Sequence, residues 1–171
     1  MITPGAAAPD LDLPLTIKAR FVLSDQHPDA FTMLVFYRGS HCPICKQYLT
    51  ELGGRLDDFT SRGVNVFAIS MDSPERAATA HEDWETHDLP LAHSLSEDQA
   101  REWGLFLSGA RADSDEPKVF SEPGLFLLRP DRSVFFEVVQ SAPFTRPDLD
   151  QLLEGIDIVT KKDYPTRGTL T

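Results

Sequence analysis

Residues 31–45 read Phe-Thr-Met-Leu-Val-Phe-Tyr-Arg-Gly-Ser-His-Cys-Pro-Ile-Cys. Phe31–Phe36 is a short run of strand formers without polar alternation, the pattern of a central strand buried on both faces. The two cysteines of the chain, Cys42 and Cys45, follow within ten residues, and Pro43 suits the first position of a helix. A Cys-X-X-Cys pair at a strand-to-helix junction is a redox arrangement. The start of a helix carries partial positive charge and unpaired N–H groups, so a thiolate there is stabilised and becomes the better nucleophile at neutral pH. The second sulfur lies one helical turn on, close enough to close a small disulfide.

The flanking segments predict an α/β layer fold. Upstream, 3–10 is an irregular entry segment and 17–23 an edge strand. Downstream, Leu49, Leu52, Leu56 and Phe59 recur at helical spacing. Gly53-Gly54 weakens or bends that helix, and Gly63 ends it. Val64–Ile69 is a second apolar strand. Ser73 as N-cap and Pro74 as first helical residue open a helix to about His87. An extended piece over 89–95 precedes a helix from Ser96 to about Trp103, stopped by Gly104. Residues 108–118 are polar and predict a loop. Gly124–Leu128 and Val134–Val139 flank Arg-Pro-Asp-Arg-Ser and predict a β-hairpin. Thr145 with Pro147 starts a last helix carrying Leu149, Leu152, Leu153, Ile156 and Val159 on one face. Alternating strands and helices followed by a hairpin predict a central mixed sheet flanked by helices on both faces.

Composition narrows the function classes. The chain has 171 residues, 41% of them hydrophobic, enough for one globular domain over 1–171 with a core over about 4–160 and an irregular tail over 164–171. No apolar run approaches the ~20 residues of a membrane span. No basic stretch precedes an apolar segment at the N-terminus, which predicts a cytoplasmic location. The net charge of −11 argues against nucleic acid and anionic membrane surfaces as partners. Two cysteines cannot build a disulfide scaffold. They could form half a zinc site, but His27, His41, His81, His87 and His93 show no tight ligand spacing, so no metal and no other cofactor is expected.

The cysteine turn, the element order and Pro123 before the closing hairpin together resemble the thioredoxin fold. The chain is most similar to the peroxiredoxin-like branch of the alkyl hydroperoxide reductase and thiol-specific antioxidant family. Pro-Gly-Ala-Ala-Ala-Pro-Asp-Leu-Asp-Leu near the N-terminus and Gly-Val-Asn-Val-Phe-Ala-Ile-Ser-Met-Asp-Ser-Pro-Glu over 63–75 carry the rest of the likeness. The resemblance implies a redox enzyme whose substrate is an oxidised thiol, a disulfide or a hydroperoxide. It also implies an external thiol reductant of thioredoxin or glutathione type and leaves a homodimer open.

The two parent families nominate different attacking sulfurs. Aligned on the peroxiredoxin Pro-X-X-X-Thr-X-X-Cys signature, Arg38 stands at the Pro, Cys42 at the Thr and Cys45 at the attacking cysteine. Thioredoxins instead attack with the first cysteine, here Cys42. Pro123 fits the cis-proline that faces the disulfide in thioredoxins. These departures favour thiol–disulfide exchange with Cys42 attacking and Cys45 resolving, ahead of a thiol peroxidase using the same sulfurs and of a non-catalytic redox sensor. Three further residues are candidates for the site. His41, as an imidazolium, would favour a neighbouring thiolate. Arg38 would stabilise negative charge on sulfur or peroxide. Glu122, unless it is a solvated loop carboxylate, would oppose a Cys42 thiolate and take the proton of Cys45. The histidines over 81–93 read as a solvated helix face, and Trp84 and Trp103 as packing residues.

Overall fold

The computed structural model describes residues 2–170, so Thr171, the end of the expected tail, lies outside the described residues. The elements are β1 (Asp12–Pro14), β2 (Arg20–Val22), β3 (Phe31–Phe36), α1 (Pro43–Gly54), α2 (Leu56–Thr60), β4 (Val64–Ile69), α3 (Pro74–Asp83), β5 (Leu91–Ala92), α4 (Glu97–Glu102), β6 (Leu107–Gly109), β7 (Val119–Ser121), β8 (Gly124–Leu128), β9 (Val134–Val139) and α5 (Leu149–Lys162).

Five strands form a mixed sheet in the order β5-β4-β3-β8-β9, with β3 parallel to β4 and antiparallel to β8. β3 is buried at all six positions, as its unbroken apolar run requires. Its side chains alternate between two cores. Met33 and Val35 pack with Leu49 and Leu52 of α1, Ala80 of α3 and Leu152 and Ile156 of α5. Leu34 and Phe36 pack on the other face with Ala100 of α4, Trp103, and Leu13 and Phe21 of the β1–β2 pair. Helices therefore cover both faces.

The register gathers the site. Phe36, the last residue of β3, lies opposite Ile69, the last of β4, and Gly124, the first of β8. Gly124 in turn faces Val139, the last of β9. The segments leaving β3, β4 and β9 and the one entering β8 therefore emerge at one end of the sheet.

Several local signals act as the sequence predicts. Ser73 caps α3 through the Arg76 N–H, and Ser96 with Gln99 forms a complete capping box on α4. Other expectations need correction. α3 stops at Asp83, and the Thr145–Pro147 start gives way to Asp148 as the N-cap of α5. The polar stretch 108–118 is not all loop: its first two residues belong to β6, which pairs with β7 just beyond it. His93 is not on a solvated face. It is 7% exposed, with Nδ1 2.8 Å from the Ser94 hydroxyl. Gly53 and Gly54 both lie within α1, and the break falls at Arg55. Gly53 answers a close approach, because a Cβ there would stand 2.2 Å from the Thr86 carbonyl oxygen.

Candidate active site

The turn between β3 and α1 is pinned at both ends. The Tyr37 N–H donates to the Ile69 carbonyl at 2.9 Å, and the Cys42 N–H to the Gly39 carbonyl at 3.1 Å. Between them the chain passes through Gly39 at φ +125°, a conformation that a side chain resists. A Cβ at Gly39 would also meet Asp72 Oδ1 at 2.6 Å. Asp72 needs that space, because its Oδ2 accepts the Ser40 N–H at 2.7 Å. Burial raises the Asp72 pKa, while the Ser40 N–H and the Arg76 guanidinium act in the opposite direction. Arg76 Nε reaches Asp72 Oδ1 at 3.3 Å.

Cys42 is the N-cap of α1, with Pro43 next. Its sulfur does what an N-cap oxygen does, accepting the Cys45 N–H at 3.2 Å. Both cysteines are free thiols and each is 1% exposed. The Cys42 thiol is pulled down to about 6, first by a hydrogen bond from the Cys45 thiol, then by the Cys45 backbone N–H and by Arg38, all against the opposing effect of burial. The Cys45 thiol is pushed up by burial and by the hydrogen bond to and charge of Cys42, with Arg146 acting the other way. Within the pair the two thiols are thus driven in opposite directions, Cys42 down and Cys45 up.

The structure brings Arg38, His41 and Glu122 together but changes what two of them can do. Arg38 is no surface arginine. Its side chain is 14% exposed, with Nε 3.1 Å from Glu122 Oε2, Nη2 3.4 Å from Glu116 Oε1 and the guanidinium carbon 4.6 Å over the Phe120 ring. Glu122 is not a solvated loop carboxylate. It is 3% exposed, one oxygen lies beside Arg38 and the other accepts the Ser108 hydroxyl at 2.7 Å. Its Oε2 makes an ion pair with Arg38 without a hydrogen bond, and no contact with either sulfur carries the expected role as base for Cys45. His41 packs edge-on against Phe120 at 4.8 Å. Burial and the charge of Arg38 lower its pKa to about 4. The ring is neutral at pH 7, which overturns the imidazolium expectation. Pro123 is trans, since the described residues contain no cis peptide bond. Its carbonyl accepts the Gln140 N–H at 2.9 Å as β8 begins.

Sequence reasoning missed Arg146, Glu116 and the role of Asp72. Arg146 Nη2 lies 3.2 Å from Cys45 Sγ, and the Tyr48 hydroxyl donates to the neighbouring Pro147 carbonyl at 2.9 Å. Glu116 accepts the Arg111 N–H at 2.8 Å as well as Arg38, and it lies in the stretch read as plain loop. Asp72 precedes the Ser-Pro-Glu helix start, and only that local signal was visible. Among the described residues no cluster of three His, Cys, Asp or Glu side chains could hold a metal ion, and no helix is long and apolar enough to cross a membrane.

Comparison with known proteins agrees with the fold. The family model described as AhpC/TSA matches residues 4–136. A Mycobacterium tuberculosis protein named as a peroxiredoxin is 30% identical over 105 residues, covering 61% of this chain and 66% of that one. The 1-Cys peroxiredoxin A of Oryza sativa subsp. japonica is 24% identical over 165 residues, 91% of this chain and 72% of that one. The match thus spans just under two thirds of the mycobacterial relative's length. Among solved structures, a variant of the peroxiredoxin 6 of Arenicola marina superposes with a TM-score of 0.80 at 18% identity, covering 95% of this chain and 76% of that one. The peroxidoxin BcpB of Mycobacterium tuberculosis superposes with a TM-score of 0.73 at 19% identity, covering 93% and 99%. These structures share the fold.

Proposed function

The chain belongs to the AhpC/TSA family, and on that premise we propose that it is a thiol peroxidase that reduces a small hydroperoxide, with Cys42 attacking and Cys45 resolving. The observation that carries this reading is the Cys42 sulfur, 1% exposed, which accepts the Cys45 N–H at 3.2 Å at the start of α1, with the Cys45 thiol and Arg38 drawing its pKa down. A small hydroperoxide needs a narrower approach to that sulfur than a protein disulfide does. Family membership together with this burial favours the peroxidase over the disulfide exchange suggested in the sequence by Arg38 and Cys42 at the signature positions and by Pro123.

The Cys42 thiolate attacks one peroxide oxygen. An S–O bond forms, the O–O bond breaks, and the leaving alkoxide takes a proton from solvent to become an alcohol. Cys42 is now a sulfenic acid. Cys45 attacks that sulfur: an S–S bond forms, the S–O bond breaks, and hydroxide leaves with the Cys45 proton as water. An external thiol reductant of thioredoxin or glutathione type then supplies two electrons to reopen the disulfide by exchange. Arg38 balances charge at Cys42, and Arg146 stabilises the Cys45 thiolate as it forms.

Parallel turnover of hydrogen peroxide and of a model disulfide by wild type, Cys42→Ser and Cys45→Ser tests the reading. We expect peroxide to be the faster oxidant of wild type, Cys42→Ser to be inert, and Cys45→Ser to stop at the sulfenic acid. Faster turnover of the disulfide would establish an exchange enzyme. Oxidation without turnover in the presence of either reductant would mark a redox sensor.

A further inference from the structure

Arg146 is a cation beside the cysteine pair that no carboxylate neutralises. Its hydrogen bonds run to the Pro143 carbonyl, the Thr145 carbonyl and, through Nη2, the Cys45 sulfur, and among the described residues it makes no ion pair. It forms one side of a surface hollow of about 190 Å³, lined also by Ile44, Gln47, Tyr48, Glu51, Phe144 and Thr145. That volume lies below the ~300–1,000 Å³ of drug-sized sites, so the hollow suits a small molecule. Phe144, 80% exposed, gives it an apolar rim. The Tyr48 hydroxyl is turned to the Pro147 carbonyl and does not compete for the guanidinium. Tyr48 feels burial first, then Arg146, Glu51 and Asp148, so one cation and two carboxylates bear on this corner. The chemistry of a Cys42–Cys45 disulfide points to the same place. A thiolate opens a disulfide faster when the sulfur it expels belongs to the more acidic thiol. Cys42 is the thiol drawn down and Cys45 the one pushed up. Attack on Cys45, expelling Cys42, is therefore the favoured direction, and Cys45 is the sulfur that Arg146 touches. Closing the disulfide also removes the ionisable Cys42 thiol, so the field of Arg146 is least opposed in the oxidised chain, the state that a reductant has to meet.

From this arrangement we propose that the hollow at Arg146 is the docking site of the reductant, a small thiol bearing a carboxylate, whose carboxylate pairs with Arg146 and whose sulfur attacks Cys45. Pairing draws the guanidinium toward the carboxylate and off the Cys45 sulfur, which uncovers that sulfur, 1% exposed in the reduced chain, from the side of the hollow. The thiolate of the reductant forms an S–S bond to Cys45 as the Cys42–Cys45 bond breaks, and Cys42 leaves as thiolate. A second thiolate attacks the reductant sulfur of the mixed disulfide. The small disulfide departs, and Cys45 leaves with the electron pair and takes a proton from solvent. Two thiols thus supply the two electrons. The inference rests on the pair closing a disulfide in turnover, and the test separates it from the peroxidase reading.

The probes are 3-mercaptopropionate and its neutral amide, 3-mercaptopropionamide. Diamide closes the disulfide of the full chain without peroxide, so the result does not depend on peroxidase activity. Reopening at pH 8 is followed by mass spectrometry. The anion-to-neutral rate ratio is divided by the same ratio on hydroxyethyl disulfide, which removes the difference in thiol acidity. In wild type we expect a corrected ratio at least threefold above one at about 0.01 M salt, falling toward one at 1 M, where charges are screened within ~3 Å. The net charge of −11 acting alone would put it below one. Arg146→Met should bring the low-salt ratio to one or below. Glu51→Gln, at an exposed position of the hollow, should raise it about twofold. Acid-quenched samples should carry the mixed disulfide on Cys45. The salt series and Glu51→Gln leave Arg146 in place and stand even if Arg146→Met loses the loop. A wild-type ratio of one or below, as the site of a protein reductant would give, overturns the proposal. So does a ratio unmoved by Arg146→Met, or a mixed disulfide on Cys42. Failure of the pair to close under diamide overturns it together with the two-cysteine cycle. Slow peroxide turnover beside a threefold ratio supports the docking site and removes only the peroxidase reading.

Discussion

Arg146 donates through Nη2 to Cys45 Sγ at 3.2 Å across 101 residues of sequence. The contact places a fixed positive charge on the sulfur that must lose its proton last. Burial and the Cys42 thiolate both resist ionisation of Cys45, and Arg146 is the side chain opposing them. Arg146→Met should therefore leave sulfenic acid formation at Cys42 within about twofold of wild type and slow disulfide closure about tenfold, one to two kcal/mol of lost charge stabilisation. Stopped-flow oxidation with trapping of the sulfenic acid reads both steps. Arg146→Lys should recover part of the second step. Equal slowing of both would show that Arg146 acts on the shape of the site.

Cys42 should titrate near pH 6. Its thiol lies below the ordinary value of 9.0 chiefly because the Cys45 thiol hydrogen-bonds to it. Alkylation of Cys42 should rise with pH through about 6 and level off above 7. In Cys45→Ala, which removes that bond and keeps the backbone N–H, the midpoint should move up by about one unit. The sign for stability follows from the same shift. A thiol with a depressed folded value stabilises the reduced fold above its unfolded value, near 9, and this contribution fades as pH falls through 6. Urea titrations of reduced wild type and Cys42→Ser should diverge as pH rises from 6 toward 9, where ionisation of Cys45 in the unfolded chain begins to oppose the trend.

Arg38→Met should raise the Cys42 midpoint, because a hydrogen bond and a favourable charge on the thiolate are lost together. At pH 7 the peroxide rate should fall about three- to tenfold. The fold should also weaken, since Glu122, 3% exposed, loses the cation beside it. Arg38→Lys should restore charge but not the paired geometry toward Glu116 and Glu122. It should therefore recover thermal stability less completely than the midpoint. An unchanged Cys42 titration in Arg38→Met would remove Arg38 from the thiolate's environment.

Two glycines of the helices should respond with opposite signs to the same substitution. Gly53→Ala places a methyl 2.2 Å from the Thr86 carbonyl oxygen and should cost about 2–3 kcal/mol by forcing α1 off its seat. Gly155→Ala in α5 meets nothing within 4 Å and should stabilise by up to about 1 kcal/mol through helix propensity. Denaturant midpoints at constant slope read both. Because Cys42 caps α1 and Cys45 lies in it, Gly53→Ala should also broaden the Cys42 titration, whereas Gly155→Ala should not.

What the sequence determined by itself is what short stretches of chain decide. The run Phe31–Phe36 has to be a buried strand because six consecutive residues leave no polar face. Cys42 and Pro43 open α1, Ser73 and Pro74 open α3, and Ser96 with Gln99 opens α4, because capping acts within four residues. The redox pair and the α/β order follow from the same local rules. The β6–β7 pair escaped notice because its strands are three residues long and border a polar stretch with no alternation. The protonation of the site was decided only by the tertiary structure. His41 reads as a candidate cation and is neutral because folding buries it near Arg38. Glu122 reads as a solvated carboxylate or a base and becomes half of a buried ion pair. Glu116 and Arg146 reach Arg38 and Cys45 from 78 and 101 residues away. Charge and pKa depend on what lies within a few ångströms and on how much water is excluded. Sequence spacing does not carry that information until the sheet brings the ends of β3, β4 and β9 to the start of β8.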